Sequence, residues 1–247
     1  MLSKLREAIA LYTANFVLFS QIILTVWLPA SVLVVYLRYF VLPELTGGDE
    51  IAMLIQELEI SNLIELIFGP IYAGALIYAF FRIKQGAAVG YGVAMRHAAK
   101  RGLKLFATRF STSLIIFLGL LALIIPGIIL TLRYYFIDEI VVLENINSGN
   151  ARKQSTRLTK GRRSQIFSVI ILGWLGTFII ATMLTLASEI PIELFNLDIT
   201  ANFVTDVIIQ SVNSILFGFL YAISFIFYWD SKQIDYYSQS SEADYIE

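Results

Sequence analysis

Apolar residues run through this chain in long blocks, separated by short polar clusters that carry mostly one sign of charge at a time. Residues 16–39, 62–82, 165–186 and 204–229 are apolar over roughly the 20 residues that a helix needs to cross a bilayer. A longer block, 110–143, is interrupted at Pro126-Gly127 and contains a lone Arg133. Its halves, 110–125 and 127–143, are each near the minimum for a span, about 17 residues. Proline lacks a backbone N–H and glycine tolerates positive φ, so the pair suits a tight reversal. The pattern predicts a short helical hairpin with Pro126-Gly127 at its tip, either crossing twice or dipping in and returning; one long kinked helix is the alternative.

Three amphipathic stretches precede pairs of spans. In the first, 1–15, Leu2, Leu5, Ala8, Ile9 and Tyr12 share a helical face by their i, i+3, i+4, i+7 spacing. In the second, 89–110, Arg96, His97, Lys100, Arg101 and Lys104 fall within one arc, with His97 expected in solvent, and Ala94, Met95, Ala98, Leu103, Leu105 and Phe106 lie opposite. In the third, 148–163, Arg152, Lys153, Arg157, Lys160 and Arg163 form a basic arc against Ala151, Ser155 and Leu158. Such helices are expected to lie in the headgroup layer with their basic faces toward anionic lipid. A weak repeat accompanies this order, since a fixed offset aligns Leu11 with Leu158, Ala14 with Gly161 and Trp27 with Trp174.

Charge sets the expected sidedness. Segments 41–61, with the turn sequence TGGDE, and 188–205 hold acids but no Lys or Arg. The N-terminus, 82–109 and 152–163 are basic, so they belong on the cytoplasmic side. Six spans with both termini inside satisfy every segment. Pro191 suits the first turn of a short outer helix capped by Ser188. The small-residue sets Gly69, Ala73, Gly74 and Ser214, Gly218, Ala222 predict close helix packing.

Composition agrees: 57% of the 247 residues are hydrophobic and 15% charged, with mean hydropathy +0.74. The expected fold is an all-α integral membrane protein of about six spans, one polytopic domain over 1–236, followed by an acidic, disordered cytoplasmic tail at 237–247. The first uncharged run, 8–37, exceeds the h-region of a signal peptide, so that helix is expected to be retained. Without cysteine and with one histidine, thiol chemistry is excluded and a histidine metal site is not expected. No cofactor is expected. Tethering of the basic stretches to spans disfavours nucleic acid as a partner.

The segment from LIIPGIILTLRYYF to ARKQSTRLTKGRR carries a resemblance through Pro126, Gly127, Arg133, Tyr134, Glu144, Ala151, Ser155, Leu158, Thr159, Gly161 and Arg162. It resembles a group of bacterial inner-membrane proteins that share the membrane domain of some glycerophosphodiester phosphodiesterases. The resemblance implies a multi-span helical fold and little about activity. The catalytic domain of those phosphodiesterases has no counterpart among these residues.

Charges at membrane depth are the candidate functional groups, because burying them is costly. Arg38, Glu65 and Asp206 lie near the outer ends of three spans and are expected to meet as one network. Arg133 needs a partner on another helix, either a structural tie or an anionic ligand. Asp138 and Glu139 are adjacent, so a helix points them about 100° apart. H-E-x-x-H, G-x-S-x-G and P-loop patterns are all missing, and no enzyme is expected. Two functions remain. In one, the protein organises anionic lipid or partner proteins, including a second copy of itself, at the cytoplasmic face through Arg96, Lys100, Arg101, Lys104, Arg152, Arg157, Lys160 and Arg163. In the other it is a transporter or channel for a small solute or lipid, with Arg133 in a polar cavity. A continuous cavity would favour the second, a closed bundle the first.

Overall fold

In lipid an apolar run must satisfy its own backbone hydrogen bonds, which a helix does within one segment. The computed structural model describes residues 2–195 and 198–244, and the described residues form only helices. These are α1 (Leu2–Ala14), α2 (Phe16–Phe40), α3 (Leu42–Thr46), α4 (Glu50–Lys84), α5 (Tyr91–Ala122), α6 (Ile124–Arg133), α7 (Ile137–Glu144), α8 (Ser148–Leu158), α9 (Arg163–Phe195) and α10 (Ile199–Asp244). Five are long and apolar enough to cross a membrane: α2, α4, α5, and the segments Arg163–Ser188 of α9 and Ile199–Tyr236 of α10.

Several helices extend beyond the blocks that the sequence marks. The acidic segment 41–61, expected as a loop, is mostly helical. Gly47 and Gly48 make the TGGDE turn at φ 63° and 82°. Asp49 then caps α4, accepting from the backbone N–H of Ile51 at 2.9 Å and Ala52 at 3.2 Å. The basic stretch 89–110 is not a separate helix either; it is the first half of the unbroken, 32-residue α5, about 48 Å long at about 1.5 Å per residue. Helix α9 runs through Ser188 to Phe195, so no new helix begins there, and the Ser188 hydroxyl donates to the Thr185 carbonyl instead. Residues 196–197 of that outer segment lie outside the described residues. Helix α10 continues to Asp244 through most of the expected tail; residues 245–247 also lie outside the described residues.

The block 110–143 reverses three residues earlier than expected. Leu123 is extended (φ −164°, ψ 145°) and separates α5 from α6, which folds back along α5. Pro126 sits in the first turn of α6, where a missing N–H costs no helical bond. Gly127 faces the other arm: a Cβ there would stand 2.9 Å from Leu120 Cα. The second arm is not one helix, because a turn at 134–136 divides the 10-residue α6 from the 8-residue α7.

The core lies where α2, α4, α7 and α10 meet. Phe19 of α2 stands edge-on to Phe80 of α4 at 4.7 Å, and Phe80 packs on Phe225 of α10 at 5.7 Å. Phe136, Ile140 and Val141 bring α7 into the same cluster. Small residues set the approach distances. Gly74 faces Ala98 of α5, and a Cβ on it would lie 3.3 Å from the alanine methyl. Gly218 lets Tyr12 reach the Ile215 carbonyl at 2.7 Å.

Ion pairs mark the two ends of the bundle. At one end Lys4 pairs with Asp230 and Glu7 with Lys84. Arg162 also reaches Asp230, at 2.6 Å, Lys232 reaches Glu144 at 2.8 Å and Arg157 reaches Asp235 at 2.9 Å. At the other end Arg38 joins Glu57 and Asp206.

Gly127→Leu should drive the arms of the α5–α6 pair apart and lower stability by about 1–3 kcal/mol. Thermal unfolding in detergent reads this as a lower Tm. Gly176→Ala, whose Cβ meets nothing within 4 Å, should leave the Tm near wild type. Equal Tm values for Gly127→Leu and wild type would refute the close packing.

Candidate functional site: an acid-lined cavity around Arg109

Arg109 lies on the buried side of α5, which also carries Ala98, Gly102 and Leu105. Its guanidinium grips Asp138 of α7, with Nε 3.1 and 3.0 Å from the two carboxylate oxygens and Nη2 2.5 Å from Oδ2. Nη1 stands 3.7 Å from Glu65 of α4, and Nη2 donates to the Tyr221 hydroxyl of α10 at 3.4 Å. Tyr72 donates to the other Glu65 oxygen at 2.6 Å and stacks edge-on with Tyr221, ring centres 5.8 Å apart. Gly69 makes room for this arrangement, since a Cβ there would lie 3.2 Å from Arg109 Nη1. One guanidinium thus ties four helices. A fork-shaped cation with five donors suits that task better than an ammonium.

Glu139 follows Asp138 and points elsewhere, as adjacency on a helix requires. It is 1% exposed. Its Oε1 accepts from Ser224 of α10 at 2.6 Å, while Oε2 is buried without a partner. Glu65, Asp138 and Glu139 all face a cavity of about 710 Å³, within the range of small-molecule sites, about 300–1,000 Å³. Its aromatic wall is Trp27, Tyr72, Tyr135, Trp174, Phe217 and Tyr221, and Ser61, Asn62 and Ser214 add polar positions. Along α4 the lining runs from Leu58 to Tyr72, about 21 Å at about 1.5 Å per residue. The space is left because α9 packs chiefly on α10 and leaves the cavity face of α4 uncovered. Trp27 and Trp174, which the repeat offset aligns, wall this same cavity.

The charges singled out in the sequence divide among different places. Arg38 and Asp206 do meet, at 3.1 Å, and Tyr39 donates to Asp206 at 3.0 Å. Their third member is Glu57, which takes two guanidinium nitrogens of Arg38. Glu65 is instead in the Arg109 cluster, two turns further along α4. Arg133 does not line the cavity. Its Nε is buried without a hydrogen-bond partner, while its carbonyl accepts from Ser155 at 2.8 Å and Thr159 at 3.5 Å, fastening α6 to α8. Glu144, too far along to serve Arg133, pairs with Lys232.

The basic arcs are partly consumed by internal bonds. Lys104 donates to the Asn145 carbonyl at 2.6 Å, closing the C-terminus of α7. Arg152 donates to Ser111, and Arg157 pairs with Asp235. His97 is half-buried, not free in solvent: it stacks on Tyr78 at 3.9 Å and its Nε2 donates to the Val142 carbonyl. Arg163 Nε is buried without a partner and Arg101 is half-buried, whereas Arg96, Lys100, Lys153 and Lys160 remain exposed. Among the described residues no three acids or histidines gather closely enough to hold a metal ion.

Five apolar helices of spanning length, packed on one core and joined by half-buried ion pairs, define an all-helical membrane protein. Residues 60–231 match the family described as "Domain of unknown function (DUF7847)", and the chain belongs to that family. The match includes the cavity-lining residues from Ser61 to Ser224, but not Trp27 or Leu58. No curated protein and no solved structure matches the chain.

Glu144 supplies a pH-dependent tie at the end of the bundle. Burial would raise its carboxyl, but hydrogen bonds from Lys232, Gln154 and Tyr228 outweigh that and hold it below the usual carboxylate range. Its contribution is therefore complete above the unfolded value, about 4.3, and is lost as pH falls through the lower folded value. Glu144→Gln should be less stable than wild type at pH 6, and the gap in Tm should narrow toward pH 3. A gap independent of pH would contradict the assignment.

Proposed function

We propose that this chain is a non-catalytic, multi-pass protein of a bacterial inner membrane whose cavity binds a small solute or a lipid on a transport path. The observation that carries this reading is the cavity of about 710 Å³, reached by groups from α2, α4, α7, α9 and α10. A bundle serving only as a scaffold gains nothing from leaving Glu65 and Asp138 part-exposed on a cavity at membrane depth. The polar centre of the proposed site is Arg109 with Glu65, Asp138 and Glu139, in place of Arg133.

In the proposed topology both termini are cytoplasmic. Helices α6 and α7 in series make the return crossing, each too short to span alone at about 15 and 12 Å. This fits the ion pairs that gather Glu7, Lys84, Glu144, Arg162 and Asp230 at one end. That end is rich in Lys and Arg, as a cytoplasmic face should be. A second role, holding anionic lipid at the inner surface, is supported by the exposed Arg96, Lys100, Lys153 and Lys160.

Native mass spectrometry of the protein extracted from its membrane separates the two roles. A small molecule or lipid retained by wild type should be lost from Ser214→Trp, which fills the cavity. Arg96→Gln with Lys100→Gln should instead reduce only adducts of anionic lipid. Equal retention by wild type and Ser214→Trp would remove the cavity as a binding site.

A further inference from the structure

We infer that the cavity is selective for an organic cation: a positively charged, ammonium-like head carried on an apolar or aromatic body. This rests on the binding role proposed above and names its ligand class. Charge balance comes first. Two part-exposed carboxylates, Glu65 and Asp138, line the cavity beside a single guanidinium, Arg109, and a third acid, Glu139, lies against its wall. Arg109 is directed at Asp138 and Glu65, and Glu139 is left to a neutral partner, Ser224. The excess charge is Glu65 and Asp138 against one guanidinium, and Glu139, 1% exposed with one oxygen unpartnered, adds an unmet demand for a hydrogen-bond donor. An anionic ligand would add to the excess negative charge, and a neutral one would leave it.

The walls point the same way. Trp27, Trp174, Tyr135 and Phe217 line the cavity together with the acids. Aromatic faces attract cations, tryptophan most strongly, and the attraction grows where water is excluded. The acids are divided between two places, one at Arg109 and one at Ser224, and do not converge as the ligands of a metal ion would. A diffuse organic cation, touching rings on several sides and one carboxylate, fits that spread. The long lining from Leu58 to Tyr72 accommodates an apolar body beside the charged head.

Nuclear magnetic resonance of the full chain in nanodiscs tests this through its three tryptophans. The indole N–H signals of Trp27 and Trp174 report on the cavity; Trp229, which packs on Phe81 and Phe225, is the control. Benzyltrimethylammonium should shift the first two signals saturably and leave the third unmoved. Its neutral isostere, neopentylbenzene, should bind at least ten-fold more weakly. Glu139→Gln, which keeps an acceptor for Ser224, should weaken the cation at least ten-fold and the isostere little. Trp174→Leu, on the half-exposed face of α9, offers the same comparison should Glu139→Gln not fold. Equal binding of cation and isostere, or cation binding unaffected in both variants, would overturn cation selectivity while leaving the cavity as an apolar site. No shift by either probe would overturn the cavity as a binding site together with its selectivity.

Discussion

The guanidinium of Arg109 cannot shed its proton, and it sits inside a bundle built for lipid. Everything near it is arranged to satisfy that charge. Asp138 takes three of its contacts, Glu65 stands behind, and Tyr221 and Tyr72 complete the hydrogen bonds. A Cβ on Gly69 would stand 2.5 Å from Glu65 Oε1 and 3.2 Å from Arg109 Nη1, so the pair fills that space. Because Asp138 is on α7, the same contact holds the short second arm of the 110–143 block against α4 and α5. Helices of 10 and 8 residues have little stability of their own, so their position depends on such ties and on Phe136, Ile140 and Val141 in the core.

This constraint also explains the cavity. Arg109 draws the acidic faces of α4 and α7 together, while α10 enters through Tyr221 and Ser224. Helix α9 contributes no charged group to the cluster and leans on α10. The result is a polar and aromatic wall on packed helices, with Trp174 of α9 facing it.

Much of the fold was legible in apolar block lengths, because burying a helix in lipid demands length and composition and little else. The TGGDE turn and the small-residue faces were legible too, since positive φ and close approach restrict residue choice. The reversal was misplaced because Pro126-Gly127 is a strong local signal, whereas Leu123 is extended for a tertiary reason: the two arms must meet at Gly127 and Leu120. Arg109 was counted with the basic flank because it follows Lys100, Arg101 and Lys104. Its face was nonetheless readable. Ala98, Gly102, Leu105 and Arg109 recur at i, i+4, i+7 and i+11, one side of a helix, and that side is small and buried. Likewise Glu65, Gly69 and Tyr72 share a face of α4. Glu57 could not have been assigned to Arg38 in place of Glu65, because both acids follow the same turn and only the register of α2 against α4 decides.

A double-mutant cycle on Arg109 and Asp138, read as unfolding free energy in mixed micelles, tests most directly whether this ion pair organises the bundle. Each of Arg109→Met and Asp138→Asn should cost about 1–3 kcal/mol, since each leaves a half-buried partner with fewer hydrogen bonds. The double variant should lose less than the sum by about 1 kcal/mol or more. Losses that add to within about 0.5 kcal/mol, or an Arg109→Met protein as stable as wild type, would contradict the account.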